Sequence, residues 1–370
     1  MGKEAVGDHF DVLVVGGGAA GCVVAARLSE DPARSVCLLE AGPDYGHRAA
    51  GRWPADLLDA DEFPSSHDWG IEGGQPSVRA RVIGGCTAHN ACYVSVGAPS
   101  DYDEWEQLGN PGWSWATMRP LLARAESMLS ICRPDIGDAH PWKRAVVAAC
   151  ASTGIEVLDD FNDPQRPRGI GSVPRNAPGG VRWNAAFAYL DSARGRPNLE
   201  IRGGALVDRI ELRAQAAEAV VVRSANAPVR LTADLIVLAA GTYGSPALLL
   251  RSGIGDEESS RALSIQLRHE LPGVGQELSD HGGVAMSFGR SDRFLRETQG
   301  WSAGIHAPQP IVVLKAGSAA CPSDSWNLHI TPVASSTDFW TREPAERGRA
   351  MISVLLMKPA SRGAVRLRTT

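Results

Sequence analysis

Apolar residues fall in short unbroken runs near the start of the chain and in alternation toward its end. Phe10-Asp11-Val12-Leu13-Val14-Val15 is a β-rich run of the kind buried on both faces of a sheet. It leads directly into Gly16-Gly17-Gly18-Ala19-Ala20-Gly21, then an alanine-rich helical stretch to Leu28 and a turn at Asp31-Pro32. A second apolar strand, Ser35-Val36-Cys37-Leu38-Leu39, ends in Glu40. Helical spacing returns at Trp115–Met128 and Pro141–Thr153, and the charged, Pro-rich stretch Asp159–Pro178 reads as a loop. Ala233–Ala240 is another strand-like run, and from about Val284 the pattern turns to alternating strands. These elements predict an α/β domain over residues 8–283, with inserted excursions, and the beginning of a second, sheet-based domain over 284–370.

Composition changes this picture little. The chain has 370 residues, 44% hydrophobic and 21% charged, enough for a large core and more than a single core of ~250–300 residues accommodates. Net charge is −5, with acids and bases dispersed, so neither a nucleic acid nor an anionic membrane surface is expected as partner. Seven cysteines without CxxC spacing predict reduced thiols, with no disulfide framework and no metal site. The longest apolar runs, such as Leu235–Ala240, are far below a membrane span of ~20 residues. Met1–His9 is polar and lacks an apolar core. A soluble, unprocessed, cytoplasmic protein is therefore expected.

The chemistry begins at the glycines. Gly16, Gly18 and Gly21 form GxGxxG between a strand and a helix, with a second strand and an acid in register. Gly16 suits a tight turn, Gly18 lets the backbone approach a pyrophosphate, and Gly21 allows close helix–strand packing. Glu40, at the tip of the second strand, can accept hydrogen bonds from a ribose 2′-hydroxyl. The unit predicts a dinucleotide, NAD or FAD. Ala233–Gly241 is read equally well as a buried strand before a turn or as the strand that, in flavoproteins, returns beside the cofactor.

Further along stands Arg79-Ala80-Arg81-Val82-Ile83-Gly84-Gly85-Cys86-Thr87-Ala88-His89-Asn90-Ala91-Cys92-Tyr93, followed by Asp101-Tyr102-Asp103-Glu104-Trp105. Gly241-Thr242-Tyr243-Gly244-Ser245-Pro246 through Gly255 and Pro272-Gly273-Val274-Gly275 through His281 come later in the same order. Together these motifs resemble the glucose–methanol–choline (GMC) oxidoreductases, and the Cys86-x-x-His89-Asn90 form is most similar to the choline-oxidase type. The resemblance implies a Rossmann-like FAD-binding domain with an α+β substrate domain built on an antiparallel sheet. By position it assigns FAD contacts to Ala19, Ala20, Glu40, Trp69, Ala80, Arg81, Val82, Ile83, Gly85, Cys86, Asn90, Ala91, Cys92, Tyr93 and Val207, besides Gly16, Gly18 and Gly21. It also sets His89 where the choline-oxidase histidine is joined covalently to the flavin; the other reading is a histidine packed against non-covalent FAD.

The implied reaction is oxidation of a small-molecule alcohol to an aldehyde or ketone, with oxygen or another electron acceptor reoxidising the flavin. His329 matches the family's substrate-side histidine, and it reads equally as a satisfied core histidine. Choline is disfavoured: Ala91 replaces a serine, and Val284–Arg290 holds no acid for a quaternary ammonium. Phe288 and Trp301 offer π faces, but Arg290 would repel the cation. The family's His-Pro-x-Gly-Thr segment does not occur, so the sequence names no general base. Other chemistry on the same fold (a lyase or a decarboxylase) and an inactive flavin-binding fragment remain alternatives. A homodimer is compatible with this reading, which does not fix the oligomeric state.

Overall fold

The computed structural model describes residues 9–62, 64, 66–70, 79–298, 309–337 and 344–369. Trp301 lies outside them. The chain forms two compact units, the first made of residues 1–91, 183–279 and 361–370, the second of 92–182 and 280–360.

The first unit is organised by a six-stranded sheet. Strand β1 (His9–Val15) lies parallel between β2 (Val36–Leu39) and β8 (Val229–Leu238), and β5 (Leu199–Arg202) extends the parallel half beyond β2. The antiparallel strands β7 (Ala216–Val222) and β6 (Val207–Arg213) complete the sheet on the far side of β8. The run at Ala233–Leu238 is thus the returning strand, in register with Phe10–Val15.

The unbroken apolar runs follow from burial on both faces. Val12, Val14, Val36 and Leu38 point to one side, against Cys22, Ala25 and Ala26 of helix α1 (Ala19–Leu28) and the π-helical stretch Ala186–Leu190. Leu13, Val15, Cys37 and Leu39 point to the other, against Leu231, Val220 and Leu248 of the helix Gly241–Arg251.

The second unit carries its own six-stranded sheet. Its order is β11 (Gly282–Phe288), β14 (Pro344–Leu356), β13 (Leu328–Thr337), β12 (Val312–Ala316), β4 (Gly169–Ser172) and β3 (Val157–Leu158). All neighbours are antiparallel except β3 and β4. The small parallel pair β9 (Ile254–Gly255) and β10 (His269–Glu270) belongs to the first unit.

This division differs from the boundary drawn from sequence. Residues 92–182 group with the second sheet because β4 pairs with β12 and because Val147, on the helix Pro141–Ser152, packs with Ile170 and Val312. The stretch Asp159–Pro178 is correspondingly not all loop. Gly169-Ile170-Gly171-Ser172 has no alternation or β-branched enrichment to mark it as a strand; antiparallel pairing with β12 makes it one. The seven cysteines are all free thiols. Among the described residues no helix is long and apolar enough to cross a membrane.

The join between β1 and α1 sets a tight steric limit. A Cβ on Gly21 would lie 1.8 Å from the carbonyl oxygen of Gly16. Gly21→Ala should therefore lower the stability of the ligand-free protein by about 1–3 kcal/mol. Urea unfolding followed by tryptophan fluorescence checks this, and an unchanged midpoint would show that helix and turn can separate without cost.

Candidate functional site

The first unit assembles a cradle at the carboxyl end of β1. Gly16 leaves the strand with φ +103° and donates its N–H to the Leu39 carbonyl at 2.8 Å. Only glycine adopts that φ without strain. Gly18 is the residue before α1, and no side chain caps the helix there. Ala19 and Ala20 are exposed, so the first-turn N–H groups open toward solvent without competition from an acidic residue.

Glu40 terminates β2 and is buried, with 6% of its surface accessible. Its Oε2 accepts the Gly17 N–H and its Oε1 the Gly42 N–H, both at 2.8 Å. Burial raises the carboxyl pKa above the usual range, while these two donors and the nearby Arg81 pull it back. A carboxylate has about four lone-pair sites, so two remain for a ribose.

A second loop closes on the first. Gly84 donates its N–H to the Gly17 carbonyl at 2.7 Å, and Gly84 and Gly85 take φ of 89° and 54°. A Cβ on Gly85 would come within 2.7 Å of the Gly18 Cα. Residues 85–88 then form a 3₁₀ turn that ends at His89, a buried residue, with Asn90 exposed after it. Thr87 Oγ1 accepts the Ala185 N–H at 2.9 Å and anchors the turn.

On the same unit, residues 67–69 run beside 79–81. Arg81 donates its N–H to the His67 carbonyl at 2.6 Å and Trp69 donates to the Arg79 carbonyl at 2.9 Å. The Arg81 guanidinium lies 5.0 Å over the ring of Trp69, which is 41% exposed, and Arg81 Nε reaches the Ala41 carbonyl at 3.3 Å. Ala80, Val82 and Ile83 are buried, so their side chains serve the core. Val207 begins β6 with its side chain in the core, which leaves its backbone as the part a ligand could meet.

The structure thus brings together Gly16, Gly18, Ala19, Ala20, Gly21, Glu40, Trp69, Ala80 to Ile83, Gly85, Cys86, His89, Asn90 and Ala91 within one unit. Cys92 and Tyr93 fall to the other unit: Asn176 donates its N–H to the Cys92 carbonyl at 3.1 Å, and Tyr93 forms a bridge with Arg175.

Sequence reasoning missed three contributors. Gly17 donates to Glu40. A Cβ on Gly42 would stand 1.9 Å from the Arg81 carbonyl oxygen, so only glycine lets those two segments touch. Asn184 is fully buried, and its Oδ1 accepts the N–H groups of Ala186 and Phe187 beside Gly84. The Glu-Ala-Gly-Pro run at 40–43 was the available signal for Gly42; nothing local marked Asn184.

The fit to a dinucleotide rests on Gly18. Its φ of −79° and ψ of −163° suit any residue, and a Cβ there would meet no atom nearer than 3.9 Å. Neither conformation nor packing requires a glycine, whereas a phosphate lying against the helix start would. The residues present fit the group that the sequence implies.

His329 belongs to the second unit, on β13, with 5% of its surface accessible. Trp326 stacks on its ring, with centroids 4.5 Å apart and planes at 20°. Its Nε2 finds no hydrogen-bond partner among the described residues. Burial, with Lys315 and His281 adding to it, brings its pKa down from 6.5 to about 4. The unfolded imidazole therefore takes up a proton near pH 6.5 that the folded one refuses until about pH 4. Stability present above pH 6.5 should be lost as the pH falls through that window. His329→Asn should flatten this acid slope in unfolding midpoints measured from pH 7 to pH 4; parallel slopes would refute the depressed pKa.

With this geometry in hand, comparison with known proteins identifies relatives. Residues 10–282 match the family model described as GMC oxidoreductase. The chain is 35% identical over 305 residues to an oxygen-dependent choline dehydrogenase of Klebsiella pneumoniae, covering 74% of this chain and 54% of that protein. It is 34% identical over 301 residues to the mitochondrial choline dehydrogenase of Homo sapiens, with 74% and 50% covered. The chain spans about half the length of these curated relatives. Among solved structures, pyridoxine 4-oxidase from Mesorbium loti superposes with a TM-score of 0.80 at 27% identity, covering 97% of this chain and 74% of that one. Formate oxidase of Aspergillus oryzae superposes with a TM-score of 0.82 at 20% identity, covering 99% and 76%, a likeness of fold.

Proposed function

The chain belongs to the GMC oxidoreductase family, and on that premise we propose that it binds FAD and oxidises an alcohol at a CH–OH carbon to an aldehyde or ketone. The observation that carries the proposal is the open glycine at position 18, in a cradle whose other glycines are accounted for by the protein itself. A solved relative of the same fold is described as an FAD-dependent oxidoreductase, in keeping with this cofactor.

In this reading the N–H groups of Gly18, Ala19 and Ala20 hold the pyrophosphate, and the free lone pairs of Glu40 take the adenosine ribose. Arg81 and Trp69 flank the adenosine part, with the Val207 backbone toward the adenine. The turn from Gly85 to Ala91, with Cys92 and Tyr93 after it, lies along the flavin ring. FAD, when bound, supplies the two-electron acceptor for the substrate carbon. His329 offers Nε2 to the substrate hydroxyl and orients it. The family relatives are named for choline, but Val284–Arg290 still supplies no acid, and Arg290 lies over the Phe294 ring at 5.6 Å. An alcohol without a quaternary ammonium is the proposed substrate, and oxygen or another acceptor closes the cycle.

Gly18→Ala separates binding from folding. It should not lower the unfolding midpoint of the ligand-free protein, since the added methyl comes no nearer than 3.9 Å to any atom, and it should lower FAD content in the purified protein at least tenfold, about 1.4 kcal/mol. Flavin absorbance per mole of chain measures this. Normal flavin content would remove the phosphate cradle from Gly18.

His89 is the proposed point of covalent attachment. It ends the 3₁₀ turn as a buried imidazole on a glycine-pinned loop. Acid precipitation of FAD-loaded protein should leave flavin in the pellet, with the flavin mass on the His89 peptide. Flavin wholly in the supernatant would show a non-covalent cofactor.

A further inference from the structure

Two buried basic side chains face one another across the second sheet. Strands β12 and β13 are antiparallel, and Lys315 stands directly opposite His329. Residues so paired share a face, with Cβ atoms about 5 Å apart. Lys315 has 3% of its surface accessible, an unusual place for an ammonium.

The ammonium is held in place. Lys315 Nζ donates to the Phe161 carbonyl at 2.6 Å and lies 4.7 Å over the Phe161 ring. That ring meets His329 edge-on at 6.2 Å. The acids acting on Lys315 are Asp160 and Asp163, and Asp163 is also bonded to Arg166 Nε at 2.8 Å. From the other elements, His281 adds a second basic group facing His329, and Leu355 of β14 pairs with it without charge. Burial brings the lysine down to about 8 and the histidine to about 4, so at neutral pH the first is charged and the second is not.

We propose that Lys315 is a positioning residue acting through His329: anchored on Phe161 and paired across the strands with the imidazole, its charge adds to burial in keeping the ring neutral and Nε2 ready for a substrate hydroxyl. The use of Nε2 rests on the alcohol-oxidising reading above; the hold of one side chain on the other does not. A lysine whose only work was to fill space would be replaceable by a neutral side chain with no effect on how His329 titrates.

The test follows the His329 C2–H resonance with pH in protein labelled at histidine and assigned with His329→Asn. Lys315→Gln keeps a donor for the Phe161 carbonyl and removes the charge; the His329 midpoint should rise by about one pH unit. Lys315→Arg should titrate with the parent. If Lys315→Gln fails to fold, Lys315→Met gives the same readout, with the same rise expected. A folded neutral variant whose His329 midpoint does not move overturns the proposal, as does a rise in Lys315→Arg. Alcohol turnover by His329→Asn is scored separately. Unimpaired turnover would sink the substrate-side role of His329 and leave the titration result standing.

Discussion

A single carboxylate ties together the loops from which the nucleotide cradle is made. Glu40 gives one oxygen to the Gly17 N–H and the other to the Gly42 N–H, so the glycine turn after β1 and the bend after β2 share one anchor. Gly17 in turn accepts from Gly84, and Gly42 leaves room for the Arg81 backbone, so the segment leading to His89 hangs from the same point. Both donors are served best by an ionised acceptor, since a protonated carboxyl gives up part of its accepting capacity to an O–H. Burial works against ionisation, and the N–H pair with Arg81 opposes it. The cradle is therefore stable only as a unit: loss of the acid would strand two buried N–H groups, each costing about 1–3 kcal/mol.

The glycines divide by what they are for. Gly16 needs its positive φ, Gly21 and Gly42 need the absence of a Cβ against backbone atoms, and Gly85 needs both. All of these are demands of the fold, and they would hold in a protein that bound nothing. Gly18 answers to none of them. A motif of this kind thus mixes residues that build a turn with one that keeps a surface clear, and only the second is evidence about a ligand.

Much of the first sheet was legible because burial on both faces leaves a local mark. The runs at 10–15 and 36–39 read as strands without reference to anything distant. The second sheet was less legible. Gly169–Ser172 is a short piece whose strand character comes from β12, far along the chain, and Val157–Leu158 is a strand only through its pairing with Gly169–Ser172; sequence periodicity carries no trace of either pairing. Hence residues 92–182 read as excursions of the first domain when they belong with the second unit. The site divides in the same way. Gly16, Glu40 and the Gly84-Gly85 turn sit at fixed offsets from local elements, whereas Asn184 reaches Gly84 only through folding. The burial of Glu40 as an internal anchor was also hidden, since an acid at a strand tip looks the same whether it meets ribose or backbone.

The two units meet the cost of a buried charge by the same physical means with opposite sign. Glu40 is surrounded by N–H donors, and Lys315 is set on a carbonyl and the face of an aromatic ring. In each case the compensating groups are largely backbone, which cannot be exchanged by side-chain substitution and cannot itself titrate. An ion pair would have shared its charge with a partner and weakened its field. An ammonium whose direct contact is a neutral carbonyl keeps its charge, and Asp160 and Asp163 act on it without forming that contact, so a neighbouring imidazole still feels it. That arrangement suits a site in which one group must stay neutral beside another that stays charged. It gives the Lys315–His329 pair a physical purpose that filling the core with two apolar side chains would not serve.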